Sequence, residues 1–342
     1  MNNFNRPLLK WFGEQKRVLP WRQTNDPYKI WISEIMLQQT QVATVIDYYN
    51  KFIELMPTVN DLASIDLDVL LKVWEGLGYY SRARNLQKAA FIVVNQYNSV
   101  FPTQYDDLLN LPGIGPYTAG AIMSIAYNQP YPAIDGNVYR VIARYKGIKK
   151  SIKDKEVKKE IRIFVEKNMV KDNSSDYTES LMELGALICK PSSPSCEICP
   201  LRSTCKAYKK NLTSIIPVKQ IRPKKKKQHI TIIVLVHNEK IGIFKRDQAL
   251  LKNLYTFDTH ESRFDVNQIS DLYKEYSIKK IESLEVYKHI FTHLEWNIES
   301  YLVETKEPVK NFKYVDLESL EKVYSLPKAY KKLMESIKKF IS

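Results

Sequence analysis

What the chain lacks narrows its possibilities first. Its 342 residues hold no long apolar stretch. The amino end, Met1 to Lys10, has no apolar core of the kind a secretory signal needs, and the longest apolar runs, such as Ile232 to Val236, are far too short to cross a bilayer. No cysteine lies outside positions 189–205, which excludes the scattered staples of a secreted disulfide scaffold and points to a reducing compartment, the cytoplasm. There is no internal repeat, and no low-complexity segment apart from one lysine run. Acid is in deficit too: 38 Asp and Glu against 52 Lys and Arg leave a formal charge of +14. That surplus favours a polyanionic partner, nucleic acid or an anionic membrane surface, and argues against an acidic or disordered role.

From Phe4 to about Tyr208 apolar residues recur at spacings of three and four, with Pro and Gly at the breaks and no long strand pattern, so this part is expected to be helical. Between Lys206 and Lys227 come nine Lys or Arg, no acid, and prolines at 217 and 223, ending in Lys224 to Lys227. This reads as a basic connector, either merely solvated or touching phosphate. Beyond it the texture changes. Ile230 to Val236 is β-branched, His237 to Lys240 is a turn, and Ile241 to Lys245 completes a hairpin pattern. Ser283 to Phe291 and Trp296 to Val303 look extended, and Lys328 to Phe340 closes at helical spacing, so this part is mixed α and β.

Cys189, Cys196, Cys199 and Cys205 are separated by six, two and five residues. Thiolates this close can wrap one metal centre, with Cys196-x-x-Cys199 as a tight chelate and Pro200 fixing the turn. Zinc is the alternative, but structural zinc usually takes two short arms, and only the central pair is short here. The longer gaps favour a cubane cluster.

Leu111-Pro112-Gly113-Ile114-Gly115 lies between a helix-like Asp106 to Asn110 and a small-residue helix, Thr118 to Tyr127. The glycines allow positive φ and close approach of N–H groups to a phosphate, a grip on the backbone that reads no sequence. By itself this could be an ordinary interhelical turn. Its place roughly 75 residues before the cysteines, together with their spacing, resembles the helix-hairpin-helix superfamily of endonuclease III and MutY. The resemblance implies a [4Fe-4S] cluster ordering a basic loop, with Arg202, Lys206, Lys209 and Lys210 facing DNA. Superfamily members that also cleave the strand carry a lysine early in the second hairpin helix, where the amine forms a Schiff base. Tyr117 stands there instead, and a phenol cannot make that imine. A monofunctional enzyme using water is implied.

Trp31 to Gln41 follows Asp26-Pro27, a plausible helix entry, and at 100° per residue Glu34, Gln38 and Gln41 form a polar strip flanked by apolar residues. No basic residue stands three or four positions from Glu34, so a surface ion pair loses its support. A carboxyl in a partly apolar cleft stays protonated near neutrality, which suits a general acid. Asp135 reads either as an N-cap for Val138 to Tyr145 or as a carboxylate facing positive charge on a sugar, and the two roles are compatible.

These segments resemble the MutY family, adenine DNA glycosylases acting opposite 8-oxoguanine. The resemblance is carried by Leu19-Pro20-Trp21-Arg22, Ser33 to Thr40, Gly76-Leu77-Gly78-Tyr79-Tyr80, Ile134 to Val138 and Glu183-Leu184-Gly185-Ala186. It implies Glu34 as acid and Asp135 as stabiliser of an oxocarbenium-like state, with Tyr117 and Asn137 beside it. Arg22 and Glu179 would contact the flipped adenine, Gln39 and Tyr79 would fill or wedge the opened stack, and Gly113 and Gly115 would hold the backbone.

The region from about 229 resembles the family's Nudix-like domain without the Nudix hydrolase signature, so pyrophosphate cleavage is not expected. Phe291-Thr292-His293 is similar to the family's 8-oxoguanine loop, whereas Leu250 to Asp258 departs from the usual pattern. The expected architecture is multi-domain, α and α+β. An all-α helix-hairpin-helix glycosylase region with the cluster loop (1–211) leads through a basic linker (212–228) to a Nudix-like mixed α/β domain (229–342). Its partner would be double-stranded DNA with A:8-oxoguanine or A:G mispairs, bound by a cytoplasmic monomer with no membrane role. An endonuclease III-type pyrimidine glycosylase and a non-catalytic iron-sulfur DNA-binding protein are the competing readings.

Overall fold

Several helix starts follow capping chemistry. Asp26 accepts the Tyr28 N–H at 2.9 Å with Pro27 in the first turn, Asp154 accepts from Glu156 and Val157, and Asp265 with Gln268 forms a reciprocal capping box. In this computed structural model residues 2–218, 225–248 and 250–341 are described, so positions 219–224 of the expected linker lie outside the described residues.

The helices of the amino-terminal half are α1 (Asn5–Gln15), α2 (Pro27–Leu37), α3 (Val42–Leu55), α4 (Val59–Ser64), α5 (Leu67–Val73), α6 (Ser81–Gln96), α7 (Tyr105–Leu109) and α8 (Pro116–Ala121). Then come α9 (Gly136–Lys146), α10 (Lys155–Asn168), α11 (Ser174–Leu187) and α12 (Lys206–Lys209). The expected helix Thr118 to Tyr127 is α8 followed by a wider π-helical turn, Ile122–Ala126. The expected strip of Glu34, Gln38 and Gln41 on one helix does not form. α2 stops at Leu37, Gln38 is extended and Gln39 takes φ 62°, because no apolar residue between Leu37 and Val42 gives another turn anything to bury.

Two compact units result: Met1–Ser64 with Asn85–Ile221, and Ile65–Arg84 with Arg222–Ser342. Among the described residues the first holds helices and no strand. Its core joins α1, α9, α10 and α11 through Phe4, Leu8, Val141, Ile142, Ile161, Tyr177, Leu181 and Leu184. Leu212 and Ile216, expected in the linker, pack against this core, with Ile216 only 1% exposed, since both are apolar and α9 offers them a seat.

The second unit is built on a seven-stranded sheet: β1 (Lys226–His237), β2 (Lys240–Lys245), β3 (Tyr255–Thr256), β4 (Asp258–His260), β5 (Ile278–Ile290), β6 (Leu294–Thr305) and β7 (Lys313–Val315). The expected hairpin forms between β1 and β2, with Val236 opposite Ile241 and His237 opposite Lys240. β1 begins earlier than expected, inside the lysine run, because Lys226 pairs with Leu294 in a parallel ladder to β6. The middle of β1 is buried on both faces, the signature of a sheet covered twice. One face packs on α14 (Leu317–Lys322) and α15 (Leu333–Ile341) through Leu320, Leu333 and Ile337, the other on α13 (Val266–Tyr273) through Ile269 and Tyr273. The segment carrying α5 is tied into this unit: Asp68 binds Lys245 at 2.5 Å and Tyr255 Oη at 2.9 Å, and Ser325 Oγ donates to Leu71 O at 3.1 Å.

Candidate active site

The cavity of the first unit, roughly 670 Å³, gathers residues that are far apart in sequence: Arg22, Glu34, Gln39, Tyr117, Asp135, Asn137 and Glu179 all line it. Glu34 sits in the middle of α2 and is 5% exposed. Tyr117, from the first turn of α8, donates to Glu34 Oε2 at 2.5 Å. Burial drives the Glu34 carboxyl up to about 7, against the Tyr117 hydrogen bond, and the charges of Asp135 and Glu179 push the same way as burial. Near neutrality Glu34 therefore holds a proton it can give away. Burial, with Glu34 and Asp135 nearby, also keeps the Tyr117 phenol protonated far above its ordinary range, so it acts as a donor.

Asp135 caps α9, accepting from Val138 N–H at 2.7 Å and from Asn137 Nδ2 at 2.7 Å. Burial raises its carboxyl from the ordinary value, while these donors and Arg140 oppose that rise and favour the ionised form. The order continues inward. Arg140 Nη2 donates to Asn137 Oδ1 at 2.7 Å and to Gly185 O at 2.8 Å, and Arg140 Nε donates to Cys189 O at 2.7 Å. Gly185 is required here, because a Cβ would stand 2.5 Å from the Asn137 Cβ. The crossing of α9 on α11 that fixes Asn137 exists only with that close approach.

Arg22, on a 3₁₀ turn Pro20–Arg22, donates to Glu179 Oε1 at 2.9 Å and to Glu183 Oε2 at 3.0 Å. Burial alone would lower the Arg22 guanidinium, but the hydrogen bonds and charges of Glu183 and Glu179 outweigh it and raise it. Arg17, Met182 and Glu183 also line the cavity and were missed from sequence. A signal existed: two glutamates four apart on one helix face need cations, and Arg17 and Arg22 flank the Val-Leu-Pro-Trp segment.

Gly113 and Gly115 lie outside this cavity in the same unit, Gly113 at φ 83° and Gly115 as the N-cap residue of α8. Tyr79, Phe291, Thr292 and His293 belong to the second unit. Tyr79 is 44% exposed at φ 47°, and its Oη hydrogen-bonds Thr292 Oγ1 at 2.8 Å. The turn from β5 to β6 is closed by Phe291 N–H donating to Leu294 O at 2.9 Å, with Phe291 edge-on to Trp296 and with Thr292 and His293 exposed.

The four cysteines line one small pocket of the first unit with Arg144, Leu184 and Leu201. Among the described residues no three Cys, His, Asp or Glu converge as ligands of a single ion. Arg144, 2% exposed, donates to Ile216 O at 2.7 Å, Lys190 O at 2.6 Å and Pro191 O at 3.0 Å, and reaches Cys189 Sγ at 3.4 Å. Burial pushes the Cys199 thiol up to about 12.

Against known proteins, residues 32–167 match the helix-hairpin-helix superfamily of base excision DNA repair proteins, and residues 231–336 match the Nudix domain family. The adenine DNA glycosylase of Buchnera aphidicola subsp. Baizongia pistaciae is 40% identical over 300 residues, 85% of this chain and 83% of that protein. The chain belongs to the adenine DNA glycosylase family. The family's member from Buchnera aphidicola subsp. Acyrthosiphon pisum is 34% identical over 99% of this chain and 98% of its own. The human adenine DNA glycosylase is 41% identical over 60% of this chain and 39% of its own length. Among solved structures, a thermostable thymine-DNA glycosylase superposes with a TM-score of 0.55 at 30% identity, covering 60% of this chain and 94% of that one. An endonuclease III in a non-covalent DNA complex gives 0.52 at 27%, with the same coverage. The protein is thus a base-excision DNA glycosylase with a helix-hairpin-helix region followed by a Nudix-like domain, and it binds DNA. No helix among the described residues is long and apolar enough to cross a membrane.

Proposed function

We propose that this glycosylase hydrolyses the N-glycosidic bond of adenine mispaired with 8-oxoguanine or guanine, as a monofunctional monomer acting on duplex DNA. The carrying observation is the pair Glu34 and Tyr117: a buried carboxyl that titrates near 7, hydrogen-bonded by a phenol at the position where a lyase would hold an amine. Glu34 protonates a ring nitrogen of the flipped adenine, and the base departs with the electrons of its bond to the sugar. Asp135, held by Asn137 and the α9 N–H groups, faces the resulting positive charge. Water then adds to the sugar carbon and gives a proton to the carboxylate left at Glu34, restoring the acid. Arg22 and Glu179 supply donors and an acceptor for the base edge, Gln39 fills the vacated stack, and Tyr79 wedges it. Gly113 and Gly115 hold the backbone, and Phe291, Thr292 and His293 read the oxidised base.

Cys189, Cys196, Cys199 and Cys205 would hold a [4Fe-4S] cluster, whose bonds to four points of one loop would order it. The donor set fits: all four cysteines line one pocket, and their six- and five-residue gaps suit a cluster better than the two short arms of structural zinc. The confinement of cysteine to this loop supports work in a reducing cytoplasm. The division of labour is catalysis by the helical unit and lesion reading by the sheet unit, to which residues 65–84 belong.

The test is single-turnover base release from duplexes carrying A opposite 8-oxoguanine, G, C and T. Release fastest opposite 8-oxoguanine, with no borohydride-trapped adduct, is expected; equal release from all four overturns the lesion-reading assignment.

A further inference from the structure

Glu179 and Glu183 stand four residues apart on α11 and both reach the cavity. Like charges at this spacing repel even on exposed helices, and Glu183 is only 1% exposed. What makes the arrangement tenable is two arginines from the segment after α1. Glu183 accepts from Arg17 N–H at 3.1 Å, Arg17 Nε at 2.8 Å, Arg17 Nη2 at 2.6 Å and Arg22 Nη2 at 3.0 Å. Arg22 spans to Glu179 through Nε and returns to Arg17 O through Nη1 at 3.3 Å. Two guanidinium and two carboxylate groups thus form one closed, charge-balanced set.

Resting on the assignment of this cavity to base release, we infer that Glu183 is a positioning residue. It locks Arg17 and Arg22 into a neutral clamp along α11, so that Arg22 engages the two glutamates and leaves Glu34 its proton. The charged and titratable groups that act on Glu34 are Tyr117 from α8, Asp135 at the start of α9, Glu179 from α11 and Arg22 from the 3₁₀ turn. Arg17 and Arg140 line the same cavity. Uncharging Glu183 leaves two arginines facing one glutamate, and the surplus positive charge favours ionised Glu34. Removing the Arg17 charge leaves a surplus of negative charge and does the opposite.

The test is the pH profile of single-turnover base release from an A:8-oxoguanine duplex. In Glu183→Gln the alkaline limb moves to lower pH by roughly half a unit to one unit, in Arg17→Gln it moves up by a similar amount, and in the double variant it returns to the parental position. A merely structural role for Glu183 lowers amplitude or thermal stability without opposite shifts. Unmoved limbs in folded single variants, or a double variant that keeps the Glu183→Gln profile, overturn the clamp. If Glu183→Gln does not fold, Arg17→Gln and the double variant still carry the test through the upward shift and its reversal. Carboxyl ¹³C NMR of Glu34 follows the same shifts without DNA. A parental protein that releases no base but shows them overturns the proposed function and leaves the clamp standing.

Discussion

The cavity of the helical unit and the Phe291–Leu294 turn of the sheet unit present polar side chains on opposite terms. In the cavity Glu34, Glu183 and Arg144's neighbour Arg140 are buried, and every one is fixed by hydrogen bonds from elements remote in sequence. At the turn Thr292 and His293 are exposed; the backbone beneath them is fixed, and the Thr292 hydroxyl meets another exposed side chain, Tyr79. Burial makes the first region expensive to alter, because an unpaired buried charge has no water to turn to. The second can change its side chains with little cost to the fold.

That contrast can be broken at the cavity first. Glu34→Gln should lower single-turnover base release by on the order of 10²- to 10⁴-fold, since an amide cannot give the proton. Loss within tenfold would mean that Glu34 is not the acid.

The same substitution sharpens the comparison in stability. The folded chain holds the Glu34 proton up to about 7 against an ordinary 4.5, so its contribution is complete below about 4.5 and is lost as pH rises through about 7. Glu34→Gln should then be more stable than the parent at alkaline pH by on the order of 2–3 kcal/mol, and no more stable at pH about 4. Thermal melts at the two pH values decide it, and a constant difference would show that burial does not set this carboxyl.

Tyr117→Phe removes a hydrogen bond that stabilises ionised Glu34, so the alkaline limb of the rate profile should move up, with a rate loss near tenfold or less. A downward move would contradict the direction of that bond. The smallest effect is expected at the turn: Thr292→Ala, which loses the contact to Tyr79, should cost about 1 kcal/mol or less, read as up to fivefold in discrimination between 8-oxoguanine and G opposite adenine. A collapse of stability there would erase the distinction between the two regions.

How much could be read from sequence follows the same line. Glu34, Tyr117 and Asp135 were legible because each sits in a short segment that resembles the family's, although an N-cap or an interhelical turn would explain Asp135 or the hairpin alone, and Asp135 does serve as both cap and cavity wall. Arg17 and Glu183 were not, because an arginine before Leu-Pro-Trp looks like any surface charge until α11 is known to pass beside it. In the second unit alternation exposed the β1–β2 hairpin, but the parallel β1–β6 ladder pairs residues nearly seventy positions apart, which no local period encodes. The lysine run hid the start of β1, since charge at an edge register reads as linker.

The tether of α5 to the sheet unit bears on how the chain can be cut. Asp68 answers Lys245 and Tyr255, and Leu71 O answers Ser325, so a piece of the carboxy-terminal unit is spelled out long before the rest of it. A fragment starting at the lysine run would leave the ribosome missing part of itself, and one ending there would keep a limb with nowhere to dock. The two units are therefore not severable at their obvious seam, and any graft or truncation would have to carry residues 65–84 across with the sheet.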